Sequence, residues 1–195
     1  MVGVDGRTSR GARTREALRR TAFRLFLAEG YEKVTVARIA AGAGVSHMTF
    51  FRHFPTKEDV VLRDEYDPML EELIRARPAD HPPMERIRHA VTTALPAVYR
   101  QEREALYLRS RLILRTPALR ARMGESAVSS CLAFERGLTP PGENPTPAVR
   151  VIAAACTAAL TTAITLWVEE EGRSELPDLV EDAFDALLTA GGGTQ

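Results

Sequence analysis

Proline and glycine cut this 195-residue chain at spacings that suit helices and leave no stretch that reads as a strand. Between the breaks, apolar residues recur at three and four positions rather than at two, which is the helical period. The expected fold is therefore all-α, with about nine helices. They fall near residues 14–29, 36–41, 47–53, 56–77, 84–99, 103–114, 117–136, 148–171 and 176–190. Local chemistry supports most of these ends. Gly30 stands where a first helix should close, Thr35 and Ser46 are good N-cap hydroxyls, and Pro55 stops the third helix. Thr56, with Glu58 and Asp59, should cap the fourth, in which Pro68 predicts a kink or an irregularity. Thr116-Pro117 places a cap beside a proline at a first helical position. Residues 139–147 hold four prolines and a glycine and must form a loop.

The net charge of zero conceals a division. Residues 1–57 contain eleven Lys and Arg against four Asp and Glu, and the remainder is acidic by the same margin of seven. A basic N-terminal lobe suits a polyanionic partner. Cys131 and Cys156 form no C-x-x-C pair and read as two small buried side chains in a reducing compartment, so a cytoplasmic location is expected. The nearest approach to a membrane span is Val149 to Val168. It carries Arg150 and several threonines and reads as a buried or interface helix, so no membrane partner is expected. The arginines near the N-terminus have no apolar stretch behind them, unlike a secretory signal.

The segment 36–54 has the pattern of a helix-turn-helix. A short helix that enters a major groove needs a bracing helix packed closely behind it and a sharp turn between the two. Ala40 and Ala43 are small enough for close packing, and Gly44 can adopt the left-handed backbone of the turn. Ile39, Val45 and Phe50 are spaced to meet in one small core, which Phe54 can close. The outward face is then His47, Met48, Thr49, Arg52 and His53, with Phe51 toward the groove wall. Ser46 can cap the helix and also donate to a phosphate. Lys57 lies in a first helical turn, where a cation gains nothing from the helix dipole; a phosphate contact would explain it. The plainer alternative is a solvated helix hairpin inside an all-α protein.

From Ala22 to Leu62 the chain resembles the TetR family of bacterial repressors. The resemblance is carried by Leu25-Phe26, Gly30-Tyr31, Thr35, Ile39-Ala40, Ala43-Gly44-Val45-Ser46, Thr49-Phe50-Phe51-Arg52-His53-Phe54 and Lys57-Glu58. It implies a DNA-binding domain over 13–57 and a ligand-binding and dimerisation domain over 58–190, between a basic arm over residues 1–12 that reads as disordered and a glycine-rich flexible tail over 191–195. It also implies a homodimer on double-stranded, palindromic operator DNA. Carried across residue by residue, Thr35, Ser46, His53 and Lys57 should touch phosphates, and His47, Met48 and Thr49 should meet bases or backbone. Phe51 stands where the family usually has tyrosine, so apolar contact alone remains there. Ala37 stands where some relatives have an arginine, and Arg38, one position on, either replaces it or does not.

The stretch from Arg109 to Leu119, with Phe50-Phe51-Arg52, is similar to the TetR regulators with an acyl-CoA-like ligand-binding C-terminal domain, the regulators of mycofactocin gene clusters among them. A long-chain acyl-CoA or another small apolar molecule is the effector this implies, with no bound cofactor. Physically such a ligand needs an apolar tunnel and cations for its phosphates. Tyr99, Tyr107, Arg109, Ile113, Phe134 and Trp167 are the candidate lining residues. Arginines in such a stretch are more often solvated or paired, and aromatics more often core. The last two helices suit a dimer interface through Ala155, Ala159, Thr162, Leu179, Ala183, Phe184 and Leu187, where small side chains permit close approach. No enzyme is expected, because His81 and His89 lack a catalytic or metal-ligand partner at a workable spacing. A DNA-binding protein without an effector, an activator and a co-repressor-dependent regulator remain as alternatives.

Overall fold

The computed structural model describes residues 5–63 and 66–191, and the chain divides into two compact units at Arg63/Asp64. The N-terminal unit holds α1 (Asp5–Glu29), α2 (Val36–Gly42), α3 (His47–His53) and α4 (Asp59–Leu62). The C-terminal unit holds α5 (Asp67–Ala76), α6 (Pro83–Arg115), α7 (Pro117–Ala121), α8 (Met123–Leu138), α9 (Pro147–Glu169) and α10 (Leu176–Gly191). No strand occurs among the described residues, in agreement with the all-α expectation.

In the N-terminal unit α1 supplies Leu18, Ala22, Leu25 and Phe26, all buried. These recur at three and four and form the floor on which α2 and α4 pack. Residues 5–12, expected as a disordered arm, are the first turns of α1; the expected tail beyond Gly191 lies outside the described residues. A continuous helix over 56–77 is also corrected. The backbone is extended at Arg63, and α5 begins anew with Pro68 in its first turn. A proline costs nothing there, because the N–H it lacks has no intrahelical acceptor.

In the C-terminal unit the expected gap between Tyr99 and Arg103 is only a kink. Residues 83–115 form one helix with Pro96 inside it and a single non-helical residue, Glu102 (φ −128°, ψ 20°). Conversely the helix expected over 117–136 is two, because Arg122 leaves helical backbone (φ −100°, ψ 2°) between α7 and α8. Helix α9 runs through the middle, packed against α6, α8 and α10, while α5 crosses α8 and α6. The core joins Ile74, Ile87, Phe134, Cys156, Trp167 and Phe184, all without solvent exposure. Among the described residues α9 is the one helix long and apolar enough to cross a membrane by length and composition.

One crossing is unusually close. A Cβ on Gly137 of α8 would stand 2.8 Å from Ile74 Cβ and 3.0 Å from the Glu71 carbonyl oxygen of α5. At the same place the buried Arg86 guanidinium donates to the Ile74 carbonyl at 3.0 Å and the Gly137 carbonyl at 3.4 Å. It therefore serves carbonyls at the C-terminal ends of two helices with one cation, and the Ile74 carbonyl also accepts the Arg77 N–H at 3.4 Å. Burial pushes the Arg86 pKa below its ordinary value.

Candidate functional sites

The reading head is built by three hydroxyl caps. Thr35 Oγ1 accepts the Arg38 N–H at 3.3 Å and opens α2. Ser46 Oγ accepts the Thr49 N–H at 3.1 Å and opens α3, with the Thr49 hydroxyl 2.9 Å away. Thr56 and Asp59 form a reciprocal box, each side chain accepting the other's backbone N–H at 3.3 and 2.8 Å. Between α2 and α3, Gly44 takes φ +68°, a conformation that costs a side-chain-bearing residue but not glycine. Ile39, Phe50 and Phe54 are buried, each 1% exposed or less, whereas Val45, expected with them, is only half-buried.

With Phe50 turned inward, α3 turns out His47, Met48, Phe51 and Arg52, two adjacent pairs spaced by four. Met48 is 73% exposed and Phe51 41%. The His47 ring stands edge-on to Phe51 with centroids 4.8 Å apart, so the two rings form one ridge. Thr49 is half-buried beside Ser46. Arg38 is exposed and leans back to Glu29, N to O 2.7 Å.

Lys57 has a different position from the one its sequence context suggests. Its ammonium donates to the carbonyls of Tyr31 (3.0 Å) and Val34 (3.2 Å) and lies 4.0 Å above the Tyr31 ring. The Tyr31 hydroxyl in turn donates to Glu58 at 2.6 Å. Lys57 thus pins the α1–α2 connection to the start of α4, with one N–H left over. Lys57→Met is expected to cost about 1.5–3 kcal/mol of stability, the usual worth of hydrogen bonds from a charged donor, in a thermal melt. Unchanged stability would refute the pin. If Lys57 also contacts a phosphate, the same substitution would lower the salt dependence of DNA affinity by about one unit of slope.

His53 is half-buried beside Arg15 and Arg52. Burial, then Arg15, then Arg52 lower its pKa from 6.5. Its contribution to stability is intact above 6.5 and declines as pH falls toward the folded value, because the unfolded chain then binds more protons. Were a phosphate to sit at His53, it would oppose that shift. In that case DNA affinity should rise as pH falls from about 7.5 to about 6, and His53→Gln should flatten the profile in a binding titration.

The C-terminal unit contains two adjoining chambers of about 110 Å³ each. One is walled by apolar side chains of α5, α6 and α9, including Leu70, Val91, Leu95 and Leu106. Tyr66 also lines it and donates to Glu102 at 3.0 Å, at the irregular turn of α6. The other is rich in hydroxyls: Ser126 and Ser130 from α8 and Thr157, Thr161 and Thr165 from α9. Arg109, Ser110, Leu160 and Ile164 line both.

Of the candidate lining residues, Arg109 and Ile113 face this space. Tyr99, Phe134 and Trp167 are buried in the core, with Tyr107 packed against them, and they line neither chamber. The core had more use for large rings than the cavity did. Tyr99 and Tyr107 flank the Trp167 indole at 5.8 and 5.3 Å between centroids. Arg122 is taken by Glu125, 2.6 Å away. Sequence reasoning missed the hydroxyl lining, although threonines at 157, 161 and 165 on an otherwise apolar helix were a usable signal.

Of the candidate interface residues, Phe184 is fully buried within its own unit and cannot serve. Leu179, Ala183 and Leu187 are partly buried against the same core, and Ala155 and Ala159 are half-covered. Thr162, also expected there, is exposed, on a line of α9 that runs Val151, Ala154, Ala158, Thr162 and Leu166.

Residues 18–63 match the family described as bacterial regulatory proteins, tetR family, and residues 81–191 match the MftR C-terminal domain. The chain belongs to the TetR family. It is a transcriptional regulator with a DNA-binding helix-turn-helix and an MftR-type C-terminal domain. The HTH-type transcriptional regulator TcmR of Streptomyces glaucescens is 40% identical over 116 residues, 56% of this TetR-family chain and 51% of TcmR, so the match spans about half the length of that curated relative. Thermus thermophilus FadR, a TetR-family repressor solved with lauroyl-CoA, shares the fold at TM-score 0.53 and 22% identity over 89% of this chain and 93% of its own. Bacillus subtilis FadR, solved with stearoyl-CoA, does so at TM-score 0.57 and 18% identity over 92% and 99%.

Proposed function

We propose that this TetR-family regulator is a repressor that binds palindromic double-stranded operator DNA as a homodimer and is released by a small apolar or acyl-CoA-like effector in its C-terminal unit. The observation that carries this is the outward face of α3. His47, Met48, Phe51 and Arg52 project together from a hairpin fixed by two hydroxyl caps, in the basic part of the chain. Arg52 and His47 supply hydrogen bonds for base edges or phosphates, and Met48 and Phe51 supply apolar contact for thymine methyls. Thr35, Ser46, His53 and the remaining N–H of Lys57 would serve as phosphate contacts, with Arg38 and Thr49 beside the two caps. Two heads related by a two-fold axis would meet half-sites about 34 Å apart. Such a regulator works in the cytoplasm, on the chromosome.

The exposed apolar line of α9 supports the homodimer, since small residues allow a second helix to approach closely. The paired chambers support an effector, and the acyl-CoA thioesters held by the two FadR structures support that class. A ligand that binds the DNA-incompetent state better would shift the population toward it. The test is operator affinity of Arg52→Ala and Met48→Ala against the parent chain. A loss of about 1–3 kcal/mol with relaxed sequence preference is expected for a base contact. Unchanged affinity in both variants would remove the reading.

A further inference from the structure

We infer that the paired chambers take a compact, hydroxyl-bearing apolar molecule about two rings in size, a polyphenol-like ligand rather than a long acyl chain. This rests on the ligand-responsive reading above and narrows it. The argument begins with where the hydroxyl protons go. Thr157, Thr161 and Thr165 recur every four residues and so form one line along α9, facing the hydroxyl-rich chamber. Each donates its proton to the carbonyl four residues back, Ala153, Thr157 and Thr161 respectively, all at 2.8 Å. Ser130, across the chamber, donates its proton to the buried Asp67 carboxylate at 2.9 Å.

A hydroxyl has one proton and two lone pairs. With the proton spent on the protein, what each oxygen still offers is acceptor capacity. Thr157 is also hydrogen-bonded to Cys131, so Thr161, Thr165 and Ser130 are the oxygens that offer acceptor capacity to the chamber, and its occupant should donate hydrogen bonds. An alkyl chain has no donor and would leave these three oxygens facing hydrocarbon. The neighbouring chamber is apolar and suits a ring or short hydrocarbon body. Size is compatible with this: each of the two adjoining chambers, at about 110 Å³, is on the scale of the roughly 150 Å³ apolar cavity that holds one benzene.

The test uses the full chain and three probes: 2,7-dihydroxynaphthalene, its dimethyl ether and lauroyl-CoA. Binding is read by calorimetry and by release of operator DNA. The diol should bind at least about tenfold tighter than the ether, because a site built for hydroxyl donors rejects the analogue that lacks them. In the double variant Thr161→Val, Thr165→Val that preference should fall to within about twofold, whereas Thr161→Ser, which keeps the acceptor, should retain it. Equal binding of diol and ether, or a preference that survives the valines, would overturn the inference. If lauroyl-CoA binds and releases DNA while the diol does neither, the inference falls and the ligand-responsive reading stands. If no probe binds or releases DNA, both fall.

Discussion

Phe50→Ala will unfold the reading head and abolish operator binding while leaving the C-terminal helices in place. Phe50 has no solvent exposure and sits between Phe51 and Phe54, with ring centroids 5.4 and 5.9 Å away. Truncating a buried phenylalanine to alanine costs about 3–5 kcal/mol in lost burial and cavity formation. The N-terminal unit spans residues 1–63. A domain of that length holds only about 3–9 kcal/mol of stability, at the usual worth per residue. The substitution therefore removes most of what holds α3 against α2. Circular dichroism should show partial loss of helix, and calorimetry should show the head melting well below the rest. Operator affinity should fall at least about a hundredfold, well past the cost of one base contact. A variant that still bound operator normally would show that α3 does not depend on this core.

Gly137→Val will destabilise the C-terminal unit at the α5–α8 crossing. The added Cβ meets Ile74 Cβ and a backbone carbonyl oxygen, neither of which is the free end of a flexible side chain. Alanine alone should cost about 1–3 kcal/mol in overpacking, less about 1 kcal/mol gained in helix propensity. Valine adds two methyl groups in the same gap and gains less propensity, so about 3 kcal/mol or more is expected. For a unit of this size that lowers the melting temperature by about 10 °C. The helices cannot simply separate, because Arg86 is bonded to the carbonyls of both Ile74 and Gly137. An unchanged melting temperature would mean that α5 moves aside freely and that the Arg86 bridge contributes little.

These two sites differ in how far they could be read from the sequence. The head was legible because its determinants are local. Thr35 with Arg38, Ser46 with Thr49 and Thr56 with Asp59 are each three residues apart, and Gly44 acts on its own backbone. The pinning role of Lys57 was not legible, because its acceptors lie 26 and 23 residues away, at Tyr31 and Val34, where no local pattern points. The Gly137 crossing was invisible for the same reason, since Ile74 is 63 positions distant.

Pro68 warned correctly of an irregularity but not of its kind: it begins a helix rather than bending one. The cavity residues were misjudged on size. Large aromatic side chains were assigned to a ligand, whereas burial free energy draws Phe134 and Trp167 into the core and leaves the threonines to face the space. Phe184 was assigned to a partner for a similar reason, and its own protomer covers it.

Helix α9 carries both the threonine line that walls the chamber and, turned outward, the line from Val151 to Leu166. In the proposed dimer the same rigid rod is therefore ligand wall on one side and subunit seam on the other. Rigid rods rotate as wholes, so the chamber cannot be reshaped without some strain at the seam. By reciprocity, a ligand that favours one setting of α9 must change the dimerisation constant by the factor by which dimerisation changes ligand affinity. The two pockets of a dimer would then be read as one cooperative sensor, with a response steeper than a single site can give.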